Sequence, residues 1–205
     1  YDCYRRLLQM YGNVVYGIES SHFENYLTNY KSLNNLVYDQ DLTADDLREI
    51  VKAFKGIYKN ILNKEFPQDP HIQLLEAVKA VFSSWNNERA RVYRSLNDIP
   101  SEWGTAVTVQ EMVFGNTGAE SGTGVLFTRN PATGEKEIFG EYLMNAQGED
   151  VVAGIRTPTP ISELQINNPK LYSQIEKICE RLEKHYEDMQ DVEFTIENNQ
   201  LFILQ

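Results

Sequence analysis

The sequence predicts an α+β fold in which a helical subdomain precedes a mixed or antiparallel sheet lobe. Over roughly the first 95 residues, apolar side chains recur at steps of three and four, which is the spacing of amphipathic helices. After residue 105, short segments rich in β-branched and aromatic residues alternate with turns that contain Gly and Pro, as strands do. The change falls at residues 97–104, NDIPSEWG. We therefore predict a helical subdomain with connecting helices at residues 1–97 and the sheet lobe at residues 98–205.

Size and charge limit the classes of function. A chain of 205 residues can bury one substantial core or two modest ones. Its 19 basic and 30 acidic side chains give a formal net charge of −11. Because such a field repels polyphosphates, we expect neither nucleic acid nor a membrane as a partner, and a nucleotide would have to arrive with cations. The two cysteines, Cys3 and Cys179, are far apart and predict neither a disulfide framework nor a zinc site.

The sequence shows no signal segment and no long apolar run. We expect a cytoplasmic protein, with a plastid or another organelle as the alternative. The chain opens without Met, inside a helical pattern, and stops directly after an apolar run. Natural termini seldom lie inside an element, so this pattern favours a piece of a longer protein.

Two helices of the first half can be placed from their caps and apolar stripes. The first begins after Thr43, a good N-cap residue, with Asp45 and Asp46 in its first turn. Its apolar stripe consists of Leu47, Ile50, Val51, Phe54, Ile57, Tyr58 and Ile61. Pro70 can open the second helix. The stripe of that helix consists of Ile72, Leu75, Val78, Val81 and Phe82. We expect these stripes to be mostly core.

The second half predicts strands and one further helix. Residues 106–113 alternate and are β-branched, so they are predicted to form a strand. Residues 125–128 and 137–143 are further strand candidates, joined by a turn at PATG. Pro169 is predicted to start a helix that continues to about Tyr186. The chain closes on a predicted hairpin of residues 191–196 and 201–205.

This last hairpin carries a candidate metal site. Asp191 and Glu193 are two residues apart on a strand, so both carboxylates project from one face. A three-residue loop, Asn198 to Gln200, would place Glu193 opposite Gln205, whereas a two- or four-residue loop would turn Gln205 to the core face. The apolar pattern favours the three-residue loop. Two carboxylates and an amide oxygen on one face would suit Mg²⁺ shared with phosphates, and the alternative is a solvated acidic strand.

Three further features could carry chemistry or simply support the fold. Glu149 and Asp150 lie on a tight turn in QGED, with Glu141 one strand earlier, and they could bind a cation, position a reacting group or cap the next segment. The glycine-rich segment, residues 115–124, could approach an anion or only turn the chain, and it is not a Walker A loop. Arg129 and Arg156 could clamp phosphate or form salt bridges.

Three stretches of the second half closely resemble the nucleotide-binding domain of the pyruvate, phosphate dikinase family. They are VFGNTG, SGTGVLFTRNPATGE and GEYLMNAQGEDVVAGIRTP. Strong similarity covers roughly residues 105–159 and 188–205, whereas the helical half is similar only in texture. The resemblance implies an ATP-grasp-like domain, of which residues 98–205 would be an incomplete lobe. Phosphoenolpyruvate synthase shares the general outline but not the NAQGEDVVAGIRTP wording.

The resemblance also implies roles for individual residues. Gln110 and Met112 would line the adenine end of an ATP or AMP site, and Glu149 would assist phosphoryl transfer. Glu141 and Asp150 would support the nucleotide site. Magnesium would be held by the hairpin residues already singled out, which are Asp191, Glu193 and Gln205.

Members of the family convert ATP, phosphate and pyruvate into AMP, pyrophosphate and phosphoenolpyruvate through a phosphohistidine. The resemblance therefore implies a phosphotransferase whose partners are its own phosphohistidine and phosphoenolpyruvate/pyruvate domains, in a homodimer. This chain lacks those domains and the expected phosphate-binding Lys and Arg, so alone we expect no turnover and weak affinity for Mg·ATP. Two alternatives remain: a synthase-type domain, distinguished by having no phosphate requirement, and a non-catalytic docking or regulatory module, distinguished by failure to form phosphohistidine.

Overall fold

The computed structural model describes residues 1–152 and 156–205. Residues 153–155, which belong to the GEDVVAGIRTP motif, lie outside the described residues. The chain forms two compact units, Tyr1–Val109 and Gln110–Gln205. The units divide later in the chain than the domain boundary expected at residue 97, and that boundary stays a prediction.

The first unit is helical, as the apolar spacing predicts. Its helices are α1 (Asp2–Tyr16), α2 (Ser20–Leu33), α3 (Ala44–Leu62), α4 (Pro70–Ser84) and α5 (Glu88–Leu96), with 3₁₀ turns at Asp39–Asp41 and Ser101–Trp103. The predicted cap of α3 is present, since the Thr43 hydroxyl accepts from the Asp46 N–H while the Asp46 carboxylate accepts from the Thr43 N–H. The Thr43 hydroxyl also donates to the Asp46 carboxylate at 2.6 Å, and this bond, together with that from the Thr43 N–H, lowers the pKa of Asp46.

The core of this unit lies among α1, α2 and α3. Leu8, Phe23, Phe54 and Tyr58 are fully buried there, and the Tyr58 hydroxyl donates to the Leu8 carbonyl at 2.6 Å. The stripe of α3 is therefore a core stripe, as predicted. The stripe of α4 is not, because α4 buries none of its side chains and Leu75 is 59% exposed.

The second unit is built on an antiparallel sheet. Its strands are β1 (Gly122–Phe127), β2 (Phe139–Met144), β3 (Thr159–Pro160), β4 (Asp191–Glu197) and β5 (Gln200–Ile203), in the order β3-β2-β1-β4-β5. All four strand pairings are antiparallel. The helices of this unit are α6 (Gly148–Val152), α7 (Ile161–Asn167) and α8 (Pro169–Tyr186). The predicted α+β class is confirmed, and the described part of the sheet is antiparallel.

The two faces of the sheet have different coverings. One face carries Leu126, Tyr142, Val192, Phe194 and Ile196, and it packs against α7 and α8. We call it the helix-covered face. The other face carries residues of opposite parity, among them Val125 and Leu143, and α6 packs against part of it through Val151. We call it the open face. The alternation of each strand assigns these side chains to their faces.

The prediction of a strand at residues 106–113 is wrong. These residues have no regular secondary structure. Alternation of β-branched residues is a local pattern, but a strand also needs a neighbour that accepts and donates its main-chain hydrogen bonds. Within the described residues, no strand pairs with this segment.

The three-residue loop predicted for the last hairpin is also wrong. Glu197 pairs with Gln200, so the loop has two residues, Asn198 and Asn199. Their φ values are 50° and 63°, as a type I′ turn requires, and Asn tolerates this conformation better than most residues. Phe202 consequently lies opposite Thr195 on the open face, not beside Phe194 as the longer loop would place it.

A β-bulge lies beyond this turn. It offsets the effect that the two-residue loop would have on the position of Gln205. The Glu193 N–H donates to the Gln205 carbonyl at 2.9 Å, while the Glu193 carbonyl accepts from Leu204 at 2.9 Å and from Gln205 at 3.4 Å. Two residues of one strand therefore oppose one residue of the other. The main chain of Gln205 lies opposite Glu193, where the sequence analysis expected it. The cause is different, however, because the bulge places it there and not a three-residue loop. The side chain of Gln205 is exposed.

None of the helices in the described part of the chain combines the length and apolarity needed to cross a bilayer.

Gly124 should tolerate no side chain. A Cβ atom there would lie 2.5 Å from the Phe194 ring and 2.7 Å from the Glu141 carbonyl. We expect Gly124→Ala to lower the free energy of unfolding by about 1–3 kcal/mol, measured by urea denaturation followed by circular dichroism. Gly148→Ala is the matched control, because a Cβ there meets nothing within 4 Å. Equal stability of the two variants would contradict the packing described here.

Cys179 should be unreactive in the folded protein. It is buried against α7 and the sheet, and this burial raises the pKa of its thiol to about 11. At pH 8 only about a thousandth of such a thiol is ionised, and the thiolate is the reacting form. In a thiol titration with a disulfide reagent, Cys179 should react only after unfolding, unlike the partly exposed Cys3. Immediate reaction of Cys179 in the native protein would show that the site is open.

Candidate functional site

A cleft of about 520 Å³ lies on the open face of the sheet in the second unit. Its floor is formed by β1 and β4, through Thr123, Val125, Glu193 and Thr195. Residues 110–113 and residues 147–149, at the start of α6, also line it. Leu204, next to the bulge, contributes one edge. The cleft thus combines carboxylates, hydroxyls and apolar surface in one concave space.

The floor is held by a cross-strand threonine pair. Thr123 lies directly opposite Thr195, and both side chains are buried. The Thr123 hydroxyl donates to the Phe194 carbonyl at 3.1 Å and lies 3.4 Å from the Thr195 hydroxyl. Cross-strand hydroxyl pairs of this kind stabilise an antiparallel sheet. Glu193 precedes Thr195 by two residues and lies on the same face of β4. The paired threonines therefore fix the strand from which Glu193 projects.

Glu193 and Asp191 both project from the open face. The register of β4 against β1 places Glu193 opposite Val125 and Asp191 opposite Phe127. Both acidic residues are exposed. Glu193 lines the cleft, whereas Asp191 lies one step further along the strand. The predicted common face of the two carboxylates is therefore present.

The two acidic residues of the QGED turn have different positions and contacts. The Asp150 carboxylate accepts from the Gln147 N–H at 2.8 Å, which caps the first turn of α6. Glu149 is exposed and lines the cleft. Of the interpretations left open by the sequence, capping therefore applies to Asp150, and Glu149 has the position of a group that can meet a ligand.

The glycine-rich segment packs tightly at its base. Gly115 approaches Ala146 so closely that a Cβ would lie 2.3 Å from the Ala146 carbonyl, and the Ala146 N–H donates to the Gly115 carbonyl at 2.9 Å. Ser121 is fully buried, lies 2.6 Å from the Thr117 hydroxyl and accepts from the Asn198 N–H at 3.0 Å. The segment therefore joins the hairpin turn to the start of α6.

The two arginines near the motif are engaged with protein groups. The Arg129 guanidinium pairs with the Glu183 carboxylate of α8 at 2.8 and 3.2 Å. Arg156 donates to the main-chain carbonyls of Met144 and Asn145 at 3.0 and 3.2 Å. Arg129 thus follows the salt-bridge alternative, and Arg156 holds the end of β2.

The cleft brings together half of the residues singled out from the sequence. Those that line it are Gln110, Met112, Glu149 and Glu193. Those that do not are Glu141, Asp150, Asp191 and Gln205. Glu141 lies on β2 and is exposed. It pairs with Val125 of β1 and with Pro160 of β3. The roles assigned to all eight stay predictions.

Few residues are available to bind a metal ion, and all of them would do so through side-chain oxygen atoms. Among the described residues there is no group of three or more His, Cys, Asp or Glu side chains arranged to hold an ion. The open face offers the carboxylates of Asp191 and Glu193, with Gln205 held opposite Glu193 by the bulge. One or two carboxylates, completed by phosphate oxygens and water, are typical of Mg²⁺ sites at nucleotides. The donor set therefore fits Mg²⁺ that is shared with a phosphate ligand and not a site made by protein alone.

Sequence reasoning missed part of the cleft. Thr195 and Leu204 line it but were not singled out. A usable signal existed for Thr195, because it lies two residues from Glu193 on the same predicted strand and must share its face. The position of Leu204 was not predictable in this way, because it depends on the bulge.

The match to a family model decides which family the chain represents. The model described as "Pyruvate phosphate dikinase, AMP/ATP-binding domain" matches residues 42–170 and 162–205. The chain belongs to this family. The resemblance of the quoted motifs to pyruvate, phosphate dikinase is thereby confirmed.

Relatives named pyruvate, phosphate dikinase match the whole chain. The protein of Clostridium symbiosum is 59% identical over 206 residues, and that of Rhizobium meliloti (strain 1021) is 51% identical over 217 residues; each alignment covers 24% of the relative. A chloroplastic pyruvate, phosphate dikinase of Mesembryanthemum crystallinum is 52% identical over 205 residues, which are 22% of its length. The chain thus spans less than a quarter of the length of the dikinases it matches. The matched part includes the helical half, which resembled the family only in texture.

Proposed function

We propose that the cleft binds the polyphosphate of ATP together with Mg²⁺, and that the longer protein uses this ATP to phosphorylate itself on a histidine. The observation that supports it most is the convergence of Glu149 and Glu193, from distant parts of the sequence, on one cleft in a chain of the dikinase AMP/ATP-binding family. In the complete protein the reaction would consume ATP, phosphate and pyruvate and yield AMP, pyrophosphate and phosphoenolpyruvate.

The residues have distinct parts in this proposal. Gln110 and Met112, which line the cleft, would face the adenine end, because they offer an amide and an apolar side chain. Glu149 would assist phosphoryl transfer from its position at the start of α6. Glu141 and Asp150 would support the site from outside the cleft lining, and Asp150 would do so through its cap on α6.

Magnesium would be held by Asp191, Glu193 and Gln205 on the open face. When bound, Mg²⁺ neutralises charge on the phosphate oxygens and orients the phosphoryl group for transfer. This need is acute here, because the chain is strongly acidic and Arg129 and Arg156 are engaged with protein groups. Further cations, which phosphoryl transfer requires, would come from other parts of the longer protein.

The partners and compartment follow from the same family membership. We propose that the phosphohistidine and phosphoenolpyruvate/pyruvate domains lie in the same longer chain, and that this chain forms a homodimer. The plant relative is named chloroplastic and the bacterial relatives carry no such label. A cytoplasmic or plastid location is therefore proposed, according to the source.

Replacement of Glu193 should separate the two half-reactions of the complete protein. We expect Glu193→Ala to slow ATP-dependent phosphorylation of the protein by at least about 100-fold, because a ligand of the charge-neutralising cation is lost. Exchange between pyruvate and phosphoenolpyruvate, which does not use ATP, should stay within about threefold of wild type. Both rates can be followed with labelled substrates.

Glu197→Ala is the matched control for this test. Glu197 lies on the same strand and face, four residues away, but does not line the cleft. It should leave both half-reactions near wild type. Equal loss of the two half-reactions in Glu193→Ala, or equal effects of the two variants, would argue against a metal-binding role for Glu193.

A further inference from the structure

The side chain of Gln147 makes a shielded contact with the glycine-rich segment. Its Nε2 donates to the Oδ1 of Asn116 at 2.8 Å. Gln147 is only 8% exposed and Asn116 is half-buried, so water competes little for this bond. The bond joins residues that are 31 positions apart in the sequence. It therefore ties the turn that precedes α6 to a distant part of the fold.

The Asn116 end of this bond has a fixed support. The neighbouring Gly115 is locked against Ala146 by its hydrogen bond and by the lack of room for a Cβ. Five residues later, Ser121 is buried and held by Thr117 and Asn198. Asn116 thus belongs to a segment that is anchored on both sides, and it can serve as a fixed contact for the start of α6.

The Gln147 end needs such a reference. Helix α6 has five residues, which is too short for a helix to be stable by itself, so its orientation depends on tertiary contacts. Those contacts include the small core around Val151, the main-chain bond from Ala146 to Gly115, the Asp150 cap and the bond from Gln147 to Asn116. The cap is internal to the turn and cannot orient it relative to the sheet. Glu149, two residues after Gln147, is exposed on this short helix.

We infer that Asn116 is a positioning residue for Glu149: it holds the start of α6, through Gln147, at the location from which Glu149 meets the transferring phosphoryl group. This inference rests on the function proposed above for Glu149. Asn116 does not line the cleft and so acts through its neighbour. Loss of the bond should alter the rate of transfer more than nucleotide binding, because the remaining walls and floor are unchanged.

The test compares two substitutions of Asn116 in the full-length protein. Asn116→Leu keeps a similar volume and removes the acceptor, whereas Asn116→Asp keeps a carboxylate oxygen that accepts from Gln147. We expect Asn116→Leu to lower kcat for ATP-dependent self-phosphorylation by about 10- to 100-fold, as for a displacement of about 1 Å of a reacting group. The KM for ATP should change by less than about threefold, and Asn116→Asp should keep kcat within about threefold of wild type.

A second comparison asks whether Asn116 acts through Glu149. In a Glu149→Gln background, Asn116→Leu should cause no further loss of kcat, because the group that it positions is already disabled. Additive losses would overturn the inference. If Asn116→Leu does not fold, Gln147→Met breaks the same bond from the other side. Because Gln147 also lines the cleft, the deciding result is that Gln147→Met causes no further loss of kcat in the Glu149→Gln background.

The outcomes separate the inference from the proposed function. If Glu149→Gln lowers kcat but Asn116→Leu does not, the inference fails and the proposed role of Glu149 stands. If Glu149→Gln leaves kcat unchanged, the proposed role fails, and the inference built on it fails too. Equal loss in Asn116→Leu and Asn116→Asp would also overturn it, since it would show that the bond to Gln147 is not what matters.

Discussion

The antiparallel pairing of β1 with β4 is the constraint on which the second unit depends. It sets Leu126 opposite Val192 and Val125 opposite Glu193. Because side chains alternate along a strand, one register determines both faces: apolar residues meet α7 and α8, while the threonine pair and Glu193 face the cleft. A slip of one residue would exchange the two sets and remove the core and the cleft together. Fold and candidate site therefore share one cause.

A second layer of the site depends on contacts that are individually small. Helix α6 brings Glu149 to the cleft, and the contacts that hold this helix include a small apolar cluster, a carboxylate cap and one part-buried hydrogen bond between two side-chain amides. The bulge at Leu204 likewise decides which main-chain groups oppose Glu193. The sheet supplies a rigid platform, and these local devices aim the side chains that lie on it.

The success of sequence reasoning followed the locality of each feature. The α3 cap, the start of α8 at Pro169 and the shared face of Asp191 and Glu193 depend on neighbours within a few residues, and all were predictable. The strand at residues 106–113 was not, because pairing requires a partner that a local pattern cannot supply. The register of the last hairpin failed because residues 201–204 are apolar without alternation, so the pattern is equally compatible with either face. In α4, an apolar stripe indicated burial, whereas none of the side chains of this helix is buried.

The central claim is that Mg·ATP occupies the cleft on the open face of the sheet. The most direct measurement is amide hydrogen exchange of the full-length protein, read by mass spectrometry with and without Mg²⁺ and a non-hydrolysable ATP analogue. The account predicts slower exchange in peptides containing residues 110–113, 147–149 and 193–204, and a smaller effect when Mg²⁺ is omitted. Saturating nucleotide that leaves these three segments unprotected while protecting others would contradict it.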